Sequence, residues 1–202
     1  MSKDPMTIGI VAPGGRIEKA LAEQVGNLAR TLYPRLELRF HPQCFLSHGH
    51  FAGDDDTRAQ AFLDVANDEG IDAVWFARGG YGACRIAPHV VAQLRDVARR
   101  KIYLGYSDAG MLLAGLYRAG FPRLAHGPMP SDMNRDGGEA AVTRALAFLT
   151  EKAPSTLEPH LAARPAIAFN ITVLCHLLGT PLEPDLTDHV LMLEEVNEPL
   201  YR

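Results

Sequence analysis

Residues 71–77, Ile-Asp-Ala-Val-Trp-Phe-Ala, form a nearly continuous apolar run. A strand with one face open to water alternates apolar and polar residues. A run such as this one belongs to a strand covered on both faces, which is the signature of a parallel sheet with helices on either side. The surrounding sequence repeats the pattern. "MTIGIVAP" reads as a strand that turns at Ala12-Pro13-Gly14-Gly15, and "RIEKALAEQVGNLARTLY" has helical spacing. "LELRFH" is a strand. "DDDTRAQAFLDVANDEG" begins with acidic residues and ends in glycine, as a capped helix does. After the apolar run come a loop, "RGGYGACRI", and a helix, "APHVVAQLRDVARR". "KIYLGY" and "RLAHGP" are further strands, and "DAGMLLAGLYRAG" and "GGEAAVTRALAFLT" further helices.

Strands alternating with amphipathic helices predict βαβ units and a doubly wound parallel α/β sheet. We assign residues 6–150 to one flavodoxin- or Rossmann-like domain. Residues 151–165, "EKAPSTLEPHLAARP", are a proline-rich linker. Residues 166–202 hold a short helix, "NITVLCHLLGTP", and a strand followed by a polar turn, "HVLMLEEVNEPLYR". This last unit is too small for an independent core and reads as the start of a truncated C-terminal domain. The first five residues, ahead of Met6, read as a cloning remnant.

Charge and cysteine usage exclude several classes. The formal net charge is -4, with no basic stripe to suggest a nucleic-acid partner. No apolar run is long enough to cross a membrane, and no secretory leader precedes the first strand. Cys44, Cys84 and Cys175 lack metal-site or disulfide spacing and read as free thiols of a reducing compartment. His48 and His50 lack a carboxylate or cysteine partner at ligand spacing, so no metal is expected, and no cofactor. Trp75, inside the apolar run, reads as core.

In such a sheet the loops that follow the strands share one edge, where ligands bind. "APGGR", "ARGGYG", "GYSD" and "HGPMP" all lie there. Ser107 sits at the strand-to-helix turn of "GYSD". Its hydroxyl is either a helix cap or a nucleophile backed by the free N–H groups of the next helix. Gly105 lies two residues before it, but no glycine lies two after, so the usual G-x-S-x-G pattern is absent. The glycines of "RGGYG" let a backbone approach a ligand closely, although their spacing matches neither common nucleotide-binding loop.

Taken in order, "IGIVAPGG", "RGGYG", "GYSD", "HGPMPSD" and "LGTPLEPDL…LMLEEVNEPLYR" resemble the LD-carboxypeptidase family of serine peptidases, which includes muramoyltetrapeptide carboxypeptidases and microcin C immunity peptidases. The resemblance spans Met6 to Arg202. It implies a Ser-Glu-His triad with Ser107 as nucleophile and Glu194 as the acid. The oxyanion hole would use backbone N–H groups of Gly79 or Gly80 and of Asp108. Glu195 and Glu198 read as surface or turn charges, and Arg202 as a partner for one of them or for the substrate carboxylate. The family carries its histidine downstream of "EPLYR", and none of the eight histidines here aligns with it. His126 of "AHGP" is expected to hold the GYSD loop. The chain is then a fragment, or is completed by a separate C-terminal fragment, or is inactive. The resemblance implies a cytoplasmic enzyme, expected to be a homodimer, that releases terminal D-alanine from a murein tetrapeptide or related small peptide. A microcin C-type immunity peptidase acting on aminoacyl-nucleotide analogues and a non-catalytic ligand-binding α/β domain are the alternatives.

Overall fold

The computed structural model describes residues 5–159 and 165–196. Five parallel strands form the main sheet: β1 (Met6–Val11), β2 (Leu36–Phe40), β3 (Ala73–Phe76), β4 (Ile102–Gly105) and β5 (Leu124–His126), in the order β2-β1-β3-β4-β5. This is the doubly wound α/β arrangement that the apolar runs predict. All four residues of β3, at the sheet centre, are buried. Removing a side chain the size of Phe76 from water contributes roughly 2–3 kcal/mol. Trp75 is also core, and its indole N–H donates to the Pro128 carbonyl at 2.8 Å, which satisfies the one polar atom the ring carries inside.

The helices divide between the two faces. Helices α1 (Lys19–Leu32) and α5 (Gly138–Glu151) bury Leu21, Val25, Val142, Leu146 and Leu149 with Ile8, Ile10 and Trp75. Helices α2 (Asp55–Asn67), α3 (Ala83–Val91) and α4 (Gly110–Arg118) bury Phe62, Ile86, Val90, Leu112 and Leu116 with Val74, Phe76 and Tyr103. Helix α2 is capped as its sequence predicts: the Asp54 carboxylate accepts from the Thr57 N–H at 2.8 Å, and Asp55 and Asp56 occupy the first turn. The chain turns to opposite faces after β1 and β3, which are neighbours in the sheet. That divergence opens a crevice at their C-terminal ends.

Two elements differ from the sequence expectation. The helix expected over residues 87–100 starts earlier, at Ala83, and ends at Val91; a separate 3-10 turn follows over Asp96–Arg100. The early start has a physical cause 25 residues away, because the Asp108 carboxylate accepts from the Ala83 N–H at 2.8 Å and caps the helix from outside. Beyond Val91, the Asn67 side chain accepts from the Arg95 N–H at 2.8 Å and draws the chain off the helix axis towards α2. The second difference is a strand not expected from sequence, β6 (Ala166–Asn170). It leads into helix α6 (Ile171–Leu177) and pairs in parallel with β7 (Val190–Glu194), Asn170 opposite Glu194. Helix α6 packs on α4: a methyl group added at Gly110 would lie 3.3 Å from Val173 and 3.6 Å from Phe169.

Candidate active site

Ser107 leaves β4 one residue after Tyr106 and opens the 3-10 turn, Ser107–Ala109, that feeds α4. Its φ is +58°, the left-handed region in which a residue with a Cβ is disfavoured by about 1 kcal/mol or more. The hydroxyl makes no capping hydrogen bond to either helical segment, and no other described residue hydrogen-bonds to it. Of the two readings open from sequence, the cap is therefore not the one the geometry uses.

The glycine loop lies directly against this serine. A methyl group placed on Gly79 would sit 3.0 Å from both Cβ and Oγ of Ser107, so any larger residue would crowd the hydroxyl. Neither the Gly79 nor the Gly80 N–H has a hydrogen-bond acceptor among the described residues. The loop after β1 closes on the same spot. The Gly15 N–H donates to the Gly79 carbonyl at 3.3 Å. A methyl group on Gly14 would fall 2.5 Å from the Gly80 carbonyl oxygen and 2.9 Å from Asp108 Oδ2, a contact no side chain could make.

Two buried charged groups fix these loops. The Asp108 carboxylate turns inward, where burial pushes its pKa up to about 6 against the opposing pull of the Ala83 and Gly82 N–H groups and the Arg58 charge. Arg58 is fully buried. Its Nη1 donates to the Pro13 carbonyl and, at 2.9 Å, to the Gly82 carbonyl, while Nη2 pairs with Asp55. One guanidinium on α2 thus ties together the loops after β1 and β3. Sequence reading passed over Arg58 because an arginine in the first turns of an amphipathic helix ordinarily faces water.

Ser107, Gly79, Gly80 and Asp108 line one cleft of about 1070 Å³. Arg16, Arg78, Tyr81, Arg135, Asn170 and His176 contribute other parts of its wall. Tyr106 forms a rigid side of it: its hydroxyl donates to Asp132 Oδ1 at 2.7 Å and accepts from Arg135 at 2.7 Å, while Asp132 Oδ2 accepts from the Met129 N–H at 2.8 Å. Burial, and then the Asp132 bond, raise the Tyr106 pKa, so the phenol stays neutral. His176 holds its Nδ1 at 2.7 Å from the Thr172 carbonyl. A carbonyl only accepts, so Nδ1 is the donor in this contact.

Glu194 is not among the cleft-lining residues. It ends β7 beside His126, with Oε1 3.7 Å from Nε2 of that imidazole. His126 in turn packs edge-on against Tyr106, ring centroids 5.8 Å apart, so it lies behind the Ser107 turn. Burial lowers the His126 pKa and outweighs the Glu194 charge that opposes it, leaving the ring mostly neutral near pH 7. Its Nδ1 and Glu194 Oε1 are both buried without a hydrogen-bond partner among the described residues. Glu195, the next residue, is exposed. Glu198 and Arg202 lie outside the described residues. Of the cysteines, Cys44 is buried and its thiol is pushed up to about 12 by burial, Cys84 borders the cleft, and Cys175 is exposed. His50 stacks on Phe51 with ring centroids 3.8 Å apart. No helix of the described residues is long and apolar enough to cross a membrane.

Comparison with known proteins matches residues 8–127 to the LD-carboxypeptidase N-terminal domain and residues 165–202 to the LD-carboxypeptidase C-terminal domain. The murein tetrapeptide carboxypeptidase of Pseudomonas aeruginosa is 30% identical over 76% of this chain and 55% of its own length. The Bacillus subtilis protein named "Probable murein peptide carboxypeptidase" is 28% identical over 97% of this chain and 64% of its own length. The chain thus spans between about half and two thirds of the length of these relatives. Among solved structures, the muramoyltetrapeptide carboxypeptidase from Oxalobacter formigenes superposes with a TM-score of 0.78 at 23% identity, covering 98% of this chain and 68% of that one. MccF in complex with glutamyl sulfamoyl guanosine gives 0.77 at 15% identity, covering 99% and 71%. At these identities the two superpositions speak to the fold, and the family model speaks to descent. With more than half of its residues matched to the family's N-terminal domain, the chain belongs to the LD-carboxypeptidase family.

Proposed function

We propose that this chain carries the nucleophile of a serine-type LD-carboxypeptidase that releases terminal D-alanine from murein tetrapeptides in the cytoplasm, during cell-wall recycling. The observation that carries the reading is Ser107 itself. A serine held at positive φ, with its hydroxyl unpartnered and pressed against a glycine loop, is strained for a purpose other than capping. In the reaction, Ser107 Oγ attacks the scissile carbonyl as a base removes its proton. The C–N bond then breaks and the amine of D-alanine leaves with a proton from the same base. Water hydrolyses the acyl-enzyme in a second round. Gly79, Gly80 and Asp108 supply N–H donors to the oxyanion, and their free or turn-end positions cost no reorganisation. Glu194 orients and charge-balances the base.

No described imidazole hydrogen-bonds to the Ser107 hydroxyl. The 202 residues alone are therefore expected to turn over weakly or not at all. The test is D-alanine release from a murein tetrapeptide by the full-length protein. Ser107→Ala is expected to abolish it, and Glu194→Ala to lower kcat about a hundredfold or more. Full activity of Ser107→Ala would overturn the serine-peptidase reading. Full activity of Glu194→Ala would pass the acid's role to Glu195 or Glu198. Hydrolysis of an aminoacyl-nucleotide analogue is the second reading, favoured by the Tyr81 ring, which is 57% exposed at the cleft wall and offers a face for a base to stack on. Turnover of such an analogue with none of the tetrapeptide would select it.

A further inference from the structure

The cleft beside Ser107 is lined by three arginines, and their surroundings differ. Arg16 pairs with Glu18 at 3.0 Å. Arg135 pairs with Asp132 at 3.3 Å and donates to the Tyr106 hydroxyl. Arg78 has no carboxylate partner among the described residues. Its one hydrogen bond sends Nη1 to the Arg16 carbonyl at 3.2 Å. A methyl group on Gly15 would lie 3.4 Å from its Nε, so the guanidinium lies along the loop after β1. That single bond leaves most of the donor fork unused and aims the plane of the group.

Arg78 is also the residue next to Gly79, where an added methyl group would lie 3.0 Å from the Ser107 hydroxyl. Adjacent Cα atoms are about 3.8 Å apart, and a peptide's terminal carboxylate lies about the same distance past the carbonyl that is attacked. A substrate whose last peptide bond sits over Ser107 therefore presents its carboxylate one residue's reach away, where an arginine side chain rooted at position 78 can meet it. The surrounding charge agrees. Of the acidic groups on the cleft wall, Glu18 is occupied by Arg16, and Asp108 is turned inward on the Ala83 N–H. An anion entering here meets a cation and no competing free carboxylate among the described residues.

We infer that Arg78 is the anchor for the free terminal carboxylate of the peptide, and that this contact restricts the enzyme to the last bond of a chain. The inference rests on the peptidase reading of the cleft. Arginine suits the task because its planar fork can take both carboxylate oxygens at once, which a lysine cannot. An internal peptide or an amidated end has no charge to offer and leaves the guanidinium without a partner.

The experiment measures equilibrium binding by calorimetry, with the 202-residue chain in a Ser107→Ala background so that nothing is cleaved. The ligands are a murein tetrapeptide ending in D-alanine, the same peptide ending in D-alanine amide, and adenosine monophosphate. The parent protein is expected to prefer the acid over the amide by about tenfold or more. Arg78→Met should erase that preference by weakening the acid alone, and Arg78→Lys should restore part of it. The side chain is exposed and makes one backbone contact, so both variants should fold, which their unfolding curves check. A preference for the acid that survives Arg78→Met overturns the inference, as does a parent protein that binds neither peptide. If Arg78→Met weakens only the nucleotide, the anion served is a phosphate and the inference again fails. The peptidase reading is judged separately by turnover: D-alanine release with an Arg78-independent preference removes the anchor and keeps the enzyme, while an Arg78-dependent preference without release does the reverse.

Discussion

Replacing Asp108 by asparagine should change how the stability of this fold depends on pH. The carboxyl is 8% exposed, and burial lifts its pKa from the ordinary 3.8 to about 6. A carboxyl whose folded pKa is raised favours folding fully below its unfolded pKa. That contribution is lost as pH rises towards and through the folded one. Here the window runs from about pH 4 to about pH 6. The gap between the two values corresponds to about 3 kcal/mol at 1.36 kcal/mol per pH unit. Asparagine has no charge to bury and keeps an oxygen for the Ala83 N–H. Its amide cannot accept from Gly82 as well, which adds a cost that is the same at every pH. Urea unfolding of both proteins between pH 4 and pH 8 gives the comparison. The stability of Asp108→Asn relative to the parent should rise by up to about 3 kcal/mol across the window and then level off. The exposed carboxylates Asp54, Asp55 and Glu37 have lowered pKa values and pull stability the other way on acidification, but they do so equally in both proteins. A difference that stays flat from pH 4 to pH 8 would refute the reasoning and show that Asp108 is not held in a costly ionised state.

Three further substitutions probe the same framework. Ser107→Gly should stabilise the protein by about 0.5–1 kcal/mol, since glycine adopts φ of +58° without strain, while removing the proposed nucleophile; a loss of stability would show that the serine side chain holds the turn. Arg58→Met should destabilise by about 3 kcal/mol or more, measured by denaturation, because it strands the Pro13 carbonyl, leaves the Gly82 carbonyl with the Arg85 N–H alone and leaves Asp55 to Arg85; a neutral result would mean that water replaces the guanidinium. Trp75→Phe should cost about 1–3 kcal/mol through the unpaired Pro128 carbonyl and the smaller ring, and a change under about 0.5 kcal/mol would argue against that hydrogen bond.

What could be read ahead of the structure follows the range of the forces involved. Each strand of the main sheet is a local apolar run, and each loop at its C-terminal edge is a local cluster of glycine and polar residues. The sheet, and the edge where Ser107 meets Gly79, were therefore legible. The start of α3 was not, because its cap is a carboxylate from another loop. Strand β6 was not, because "AIAFN" becomes a strand only by pairing with β7 some two dozen residues later. The placement of Glu194 beside His126 is tertiary in the same sense: nothing within either segment points to the other. Arg58 and Arg78 look alike as letters, and only burial separates the one that braces the loops from the one that faces the cleft.

The seating of α6 on α4 has a consequence for the order in which the molecule is made. Gly110, at the start of the helix that follows Ser107, is covered by Val173 and Phe169, which leave the ribosome after the main sheet and its helices. The main sheet and its helices are complete once Glu151 has emerged. Synthesis of the residues up to Leu177 then takes about 1–5 s at ordinary elongation rates. During that interval the helix behind Ser107 is formed but uncovered on one side, exposing apolar surface that a chaperone or another nascent chain can engage. Arrival of Phe169 and Val173 closes that surface, so the support behind the serine turn is completed only after the main sheet has formed.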